Sequence, residues 1–358
     1  MAQGDSWADP YIIHNYAEFE ASKSATAGKY YRFADINVSG GSYSISGTGT
    51  QADPYQVSTY KEMLYITGAS YVYECKLVDF DVESPTAVRK YMYGTGDNAV
   101  FCAFDPADST IDFNDVSQEY IGAIEIYNHY DFNGWTFLNP RLSLQGGVSA
   151  VLTCGNQTPS LSSVHNLIML NCMASGINNS FDKALFCVDV EDSILHITLD
   201  ATDIGDKQVL FNLGTSYGMG FNRNSLVLKV IGTANNRFAG SGYGSANIQD
   251  SVLDLDIKIG SVGWTSGNGY LDILRSTVKG TIDCDNYSSS FFGVLSDCIF
   301  DCTCTNTSLP KPVLYYSSVY NNEKVGWTDD TGLVGVTSEQ LLSPTALQAA
   351  GLLIGVDT

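Results

Sequence analysis

The chain has 358 residues, 44% of them hydrophobic, which suffices to bury a real core and excludes a disordered protein. Only 16% of residues are Asp, Glu, Lys or Arg, against a usual quarter, and the formal charge is −21. That acidity argues against a nucleic-acid partner, because gripping phosphate backbones takes concentrated Lys and Arg, and it favours solubility instead.

No apolar run approaches the roughly 20 residues that cross a bilayer. The opening Met-Ala-Gln-Gly-Asp lacks a charged-then-apolar export signal, so folding in a cytoplasm without a membrane partner is expected. Nine cysteines, with no Cys-x-x-Cys pair, predict reduced, buried thiols rather than a metal centre. No cofactor is expected.

The N-terminal region writes one motif twice. "GDSWADPYIIHNYAEFEA" (4–21) and "GTGTQADPYQVSTYKEML" (47–64) share Asp-Pro-Tyr, an apolar pair of alternate residues, and a capping-box signature, Asn15-x-x-Glu18 and Thr59-x-x-Glu62. Each copy predicts a strand and then a short helix. The second copy, within 47–80, is expected to cap a ladder of strands, with a helix over 59–67 and "YVYECKLVD" (71–79) beginning the first coil. The first copy, within 1–46, is either a further rung above that cap or a separate attachment module, presenting Asp9, Pro10, Tyr11 and Tyr16.

Residues 81–325 carry apolar alternation at period two, which predicts strands with one buried face. Five segments follow Ser or Asp: "EDSILHITLDA" (191–201), "RNSLVLKVIG" (223–232), "QDSVLDLDIKIG" (249–260), "LRSTVKGTIDC" (274–284) and "LSDCIFDCTC" (295–304). Their spacing suits coils that each contact only their neighbours. Aligned by alternation, Leu195, Leu226, Leu253, Val278 and Cys298 form one inward column. Ile197, Leu228, Leu255, Gly280 and Phe300 form the next, and Leu199, Val230, Ile257, Ile282 and Cys302 a third. The outward residues then pair Lys229 with Asp256, Asp254 with Lys279 and Lys258 with Asp283, as parallel in-register strands require. The expected fold is all-β, a single-stranded right-handed parallel β-helix (solenoid) with short helical caps at both ends.

The C-terminal cap is expected in 326–358, from Thr337-x-x-Gln340, Ser343-Pro344 and a stop at Gly351. The second Asp-Pro-Tyr stretch, the Ser-led rungs and the terminal "GLVGVTSEQLLSPTALQAAG" (332–351) resemble the pectate-lyase-like parallel β-helix proteins of bacteriophages: head fibres, decoration proteins and tailspikes. The resemblance implies a homotrimeric structural protein of the virion, assembled in the host cytoplasm. Its implied partners are other virion proteins and host cell-surface polysaccharide. The alternative it leaves open is a tailspike-type polysaccharide depolymerase or lyase; a cell-surface adhesin is disfavoured by the missing export signal.

Candidate sites are few. Asp254 and Asp256 alternate on one outward face, as paired carboxylates of glycoside-cleaving enzymes do, yet each faces a lysine, so no catalytic residue is assigned. Asp200, Asp203 and Asp206 read as a solvated acidic turn rather than a cation site, and Cys298, Cys302 and Cys304 as core. His196 reads as a surface histidine. Tyr127, Tyr130 and Trp135, around His129, have the amphipathic rings of a glycan platform; a partly buried loop or trimer contact is the preferred reading of the same three.

Overall fold

The computed structural model describes residues 2–34, 45–57, 66, 76–77, 89–93, 97, 99–104, 110–113, 123–144, 150–154, 161–175, 182–202, 210–212, 220–232, 237–239, 246–262, 271–287, 292–305, 309 and 311–352. The protein is all-β with a few short helices, and nearly all its strand pairs are parallel. One ten-stranded sheet runs from Tyr11–Ile13 through Tyr30–Phe33, His129–Asp131, Ser163–His165 and Asp189–Glu191 to Leu314–Tyr316. A second sheet holds two runs of strands. One contains Ile168–Ser175, Ile194–Asp200 and Ser225–Ile231; the other contains Ala150–Cys154, Asp182–Phe186 and Leu210–Asn212. They join at Val252–Val262.

Between His129 and Val262 the described strands pass repeatedly from the ten-stranded sheet to the first run and then to the second. The corner between the first two explains why the rungs follow Ser. From Ser163 onward each such corner has one residue in the left-handed region: Asn166, Asp192, Arg223, Asp250, Arg275, Asp297 and Ser317. The next residue is usually a buried Ser whose hydroxyl meets the preceding corner. Ser193 accepts from Leu167 N, Ser251 from Asn224 N, Ser276 from Ser251 N and Ser318 from Cys298 N, at 3.0–3.1 Å. Corner amides that the strand ladders leave over are thereby satisfied inside the protein. Outside, Arg223 bridges to Asp192 and Arg275 to Asp250, both at 2.7 Å, tying neighbouring corners.

The expected register holds across the first four aligned rungs. Leu195–Leu226–Leu253–Val278, Ile197–Leu228–Leu255–Gly280 and Leu199–Val230–Ile257–Ile282 are consecutive partners. Lys229 stands 3.9 Å from Asp256 and Lys279 3.8 Å from Asp254. The fifth rung is displaced by two residues: Phe300 pairs with Val278, Cys302 with Gly280 and Cys304 with Ile282. Cys298 occupies the corner position of a Ser, giving its Sγ to Ser296 O at 3.1 Å, so the strand starts one pleat later. Parity is unchanged, and the eight described cysteines are buried.

The expected N-terminal cap is corrected. The ladder is covered at its N-terminal side by the first Asp-Pro-Tyr copy: strand Tyr11–Ile13 pairs with Tyr30–Phe33, which pairs with His129–Asp131. Helix Tyr16–Ser22, capped by Asn15 accepting from Glu18 N, drives Phe19 into the core at 1% exposure. The second copy makes the same local turn, Thr48 N to Asp53 O matching Gly4 N to Asp9 O. Its strand Tyr55–Val57 pairs with Val100–Phe104 in a separate four-stranded sheet. That sheet's Val57 and Cys102 bury Leu138, Ile168, Leu170 and Ile194 on the outer face of the ladder. Lys76–Leu77, expected in the first coil, lies antiparallel to Arg89–Tyr93 in this same sheet. The helix expected over 59–67 falls outside the described residues except Ile66.

At the other side, Trp327 stacks 4.9 Å from Phe300 and donates from Nε1 to Leu309 O at 2.6 Å, closing the core. The C-terminal helix Pro344–Ala349, capped by Ser343, instead lays Leu347 on the outward residues Val319 and Val336.

Candidate functional site

The ten-stranded sheet turns one face to the core through Tyr31, Tyr130, Val164 and Val190. Alternation sends the residues between them outward in two columns. One column is Tyr30, His129, Ser163 and Asp189; the other is Arg32, Asp131, His165 and Glu191. Parallel pairing stacks like positions about 4.8 Å apart, so side chains of strands far apart in sequence come into contact.

That juxtaposition builds a polar relay. Ser163 Oγ lies 2.9 Å from His129 Nδ1 and 3.0 Å from His165 Nε2. The other nitrogen of His165, Nδ1, faces Glu191 Oε2 at 3.6 Å. Glu191 is held by Arg223 at 3.0 Å and by the Asn222 amide at 3.3 Å. Burial, with His165 adding to it, keeps the His129 imidazole below its ordinary pKa and hence neutral. Burial raises the Asp189 carboxyl, opposed by the Gly220 amide that donates to it at 2.7 Å.

The first Asp-Pro-Tyr copy reaches this face as well. Its loop carries Trp7 edge-on to His165 at 5.0 Å between ring centroids, to Tyr30 at 4.9 Å and to His129 at 6.4 Å. Tyr30 stacks on His129 at 4.5 Å. Ser163 is left 7% exposed beneath these rings.

His165, Glu191 and Asp192 also bring potential ligand atoms within 4.8 Å of one another. Arg223 already spans both carboxylates, donating to Asp192 through Nε at 2.7 Å and through its terminal nitrogen at 2.8 Å. The cluster therefore has its counter-charge from the chain itself.

The expected glycan platform is not assembled. Tyr130 is fully buried and bonds Ser22 Oγ through its hydroxyl at 2.7 Å, while Trp135 is 6% exposed and donates to Ala34 O at 2.9 Å. Both face the core because they belong to the aromatic packing around Phe19, Phe33 and Phe132. Tyr127 alone is partly open, its hydroxyl directed at Glu125. Of the attachment residues, Asp9 is exposed and Pro10 partly so. Tyr11 lines a shallow cleft of about 450 Å³ with Ile12, Glu18, Lys29 and Tyr31. Tyr16 is turned inward, 5.5 Å from Phe113.

His196, read as a surface residue, points outward but is 8% exposed. It shares the outward face with Ile194, which lies beneath the four-stranded sheet. Asp203 and Asp206 fall outside the described residues. Sequence reasoning missed Ser163, His165 and Glu191; the Ser-Val-His alternation was the visible part of the signal. Comparisons with known protein families, with curated proteins and with solved structures return no match to this chain.

Proposed function

We propose that the chain is a right-handed parallel β-helix that serves as a structural protein of a bacteriophage particle, a capsid decoration, head fibre or tail appendage displayed at the surface. The carrying observation is the cyclic passage through three parallel ladders, coil upon coil. Right-handedness follows from the near-universal hand of parallel crossovers. An acidic chain whose core is closed by Phe19 on one side and Trp327 on the other suits display at a particle surface.

Assembly as a homotrimer is supported by an apolar stretch near the C-terminal side, where Val313, Leu314 and Tyr316 are 51%, 49% and 55% exposed. Attachment to other virion proteins is assigned to the first strand of the ten-stranded sheet, which is the edge strand among the described residues and carries an exposed Ile12 beside Tyr11. Host surface polysaccharide remains a partner in this reading, on the open outer faces. The depolymerase alternative gains nothing from Asp254 and Asp256, each of which stands beside a lysine.

Imaging of native particles with antibody raised against the purified chain tests the proposal, together with sedimentation of the free protein. Label on the particle surface and a trimer mass that falls to monomer in Leu314→Lys support it. Unlabelled particles overturn the virion role, and a monomeric wild type overturns the trimer.

A further inference from the structure

We propose that Ser163, His165 and Glu191 form a serine-hydrolase site for O-acyl esters on the outer face of the ten-stranded sheet. The site does not depend on the virion reading.

The order of contacts is that of an activated hydroxyl. With the His165 proton on Nδ1, toward Glu191 Oε2 at 3.6 Å, Nε2 is an acceptor and Ser163 Oγ donates to it at 3.0 Å. His129 Nδ1 then donates to a lone pair of Oγ at 2.9 Å. That assignment satisfies both hydrogen bonds at Oγ and points the serine proton at the nitrogen that would remove it. Glu191 acts as a positioning residue, itself fixed by Arg223 and Asn222.

The chemistry balances with water as the only co-reactant. Ser163 Oγ attacks the ester carbonyl carbon while its proton passes to His165 Nε2. The carbon–oxygen bond to the alcohol breaks, and the alcohol leaves with that proton. Water, deprotonated by the same nitrogen, then attacks the acyl-serine. The acid departs and the proton returns to Oγ.

Trp7 sets access. Ser163 is 7% exposed, and the indole stands edge-on to His165 and Tyr30 above it. Its loop is tied to the ladder by Tyr30 N donating to Gly4 O at 3.0 Å. An ester reaches the hydroxyl only when the indole swings aside, so shortening Trp7 opens the site.

The test is labelling of the full chain by a fluorophosphonate, located by peptide mass spectrometry, with p-nitrophenyl acetate as the turnover probe. The expected result is an adduct on Ser163, formed faster in Trp7→Ala and slowed about a hundredfold in His165→Asn. Ser163→Ala, which keeps the outward surface, should melt as wild type and lose both adduct and turnover. The labelling rate of the unaltered chain should also rise with pH, as general-base activation of a hydroxyl requires, a readout that needs no variant to fold. Absence of a Ser163 adduct in both wild type and Trp7→Ala overturns the proposal. So does an adduct whose rate ignores both pH and His165.

Discussion

The ring of Phe19 sits edge-on to that of Tyr130, 5.1 Å between centroids, and so joins the first Asp-Pro-Tyr copy to the core of the ladder. Phe33, Phe132 and Phe137 surround it at 5.9 Å each. Phe19→Ala is expected to cost about 3–5 kcal/mol, the range for emptying a buried aromatic site. A chain beginning at Gly47 should lose its cooperative melt altogether, since Tyr130 and Phe132 then face water. Thermal unfolding followed by circular dichroism checks both; a truncated chain melting like the full one would return the cap to the second copy.

The contrast between neighbours on one strand tests the facing. Leu255 is 1% exposed between Leu228 and Gly280, whereas Asp254 points out beside Lys279. Leu255→Asp places an unpaired carboxylate in the core and should unfold the protein. Asp254→Asn removes a partly exposed ion pair and should shift stability by under about 1 kcal/mol. Urea melts of the two variants should differ widely, and equal losses would refute the inward and outward assignment.

How much of this was legible depended on whether the signal was local. Alternation fixes parity, so the inward columns and the charge pairs of the middle coils could be read directly. The displaced fifth rung could not, because Cys298, Phe300, Cys302 and Cys304 all suit an inward position and a shift of two leaves the pattern intact. Tyr130 shares parity with Phe132, so its burial was present in the alternation of 129–132 and obscured by the cluster of rings. The relay at Ser163 needed more. Ser163 and His165 are alternate residues of one strand, but Glu191 and His129 join them only through pairing with neighbouring strands, and Trp7 only through the first Asp-Pro-Tyr copy.

Gly280 gives a test of the ladder's backbone. Its φ is +115°, and a Cβ there would lie 2.0 Å from Leu255 O, a main-chain atom fixed in the adjacent strand. Gly280→Ala is therefore expected to cost about 3 kcal/mol from the strained dihedral and the clash together. Thr281→Ala, one residue on and exposed, should be nearly neutral. Matched denaturant melts decide this, with equal small effects counting against the close approach.

Stability should fall on acidification through a named histidine. Burial pushes the His196 imidazole down to about 4, whereas the unfolded chain binds that proton near pH 6.5. Between those values the unfolded state holds more protons than the folded one, so unfolding becomes easier as pH drops. The contribution is absent above pH 6.5, grows through the window, and reaches about 3 kcal/mol of lost stability near pH 4. Carboxylates held low by partners, such as Asp250 beside Arg275, act in the same direction at lower pH, so the comparison must be with a variant rather than with theory. His196→Gln cannot take up the proton and should remove its share of the slope between pH 6.5 and 4, whatever its own stability at pH 7. Urea melts of both proteins across that range measure the difference; parallel curves would mean that His196 can charge within the folded state.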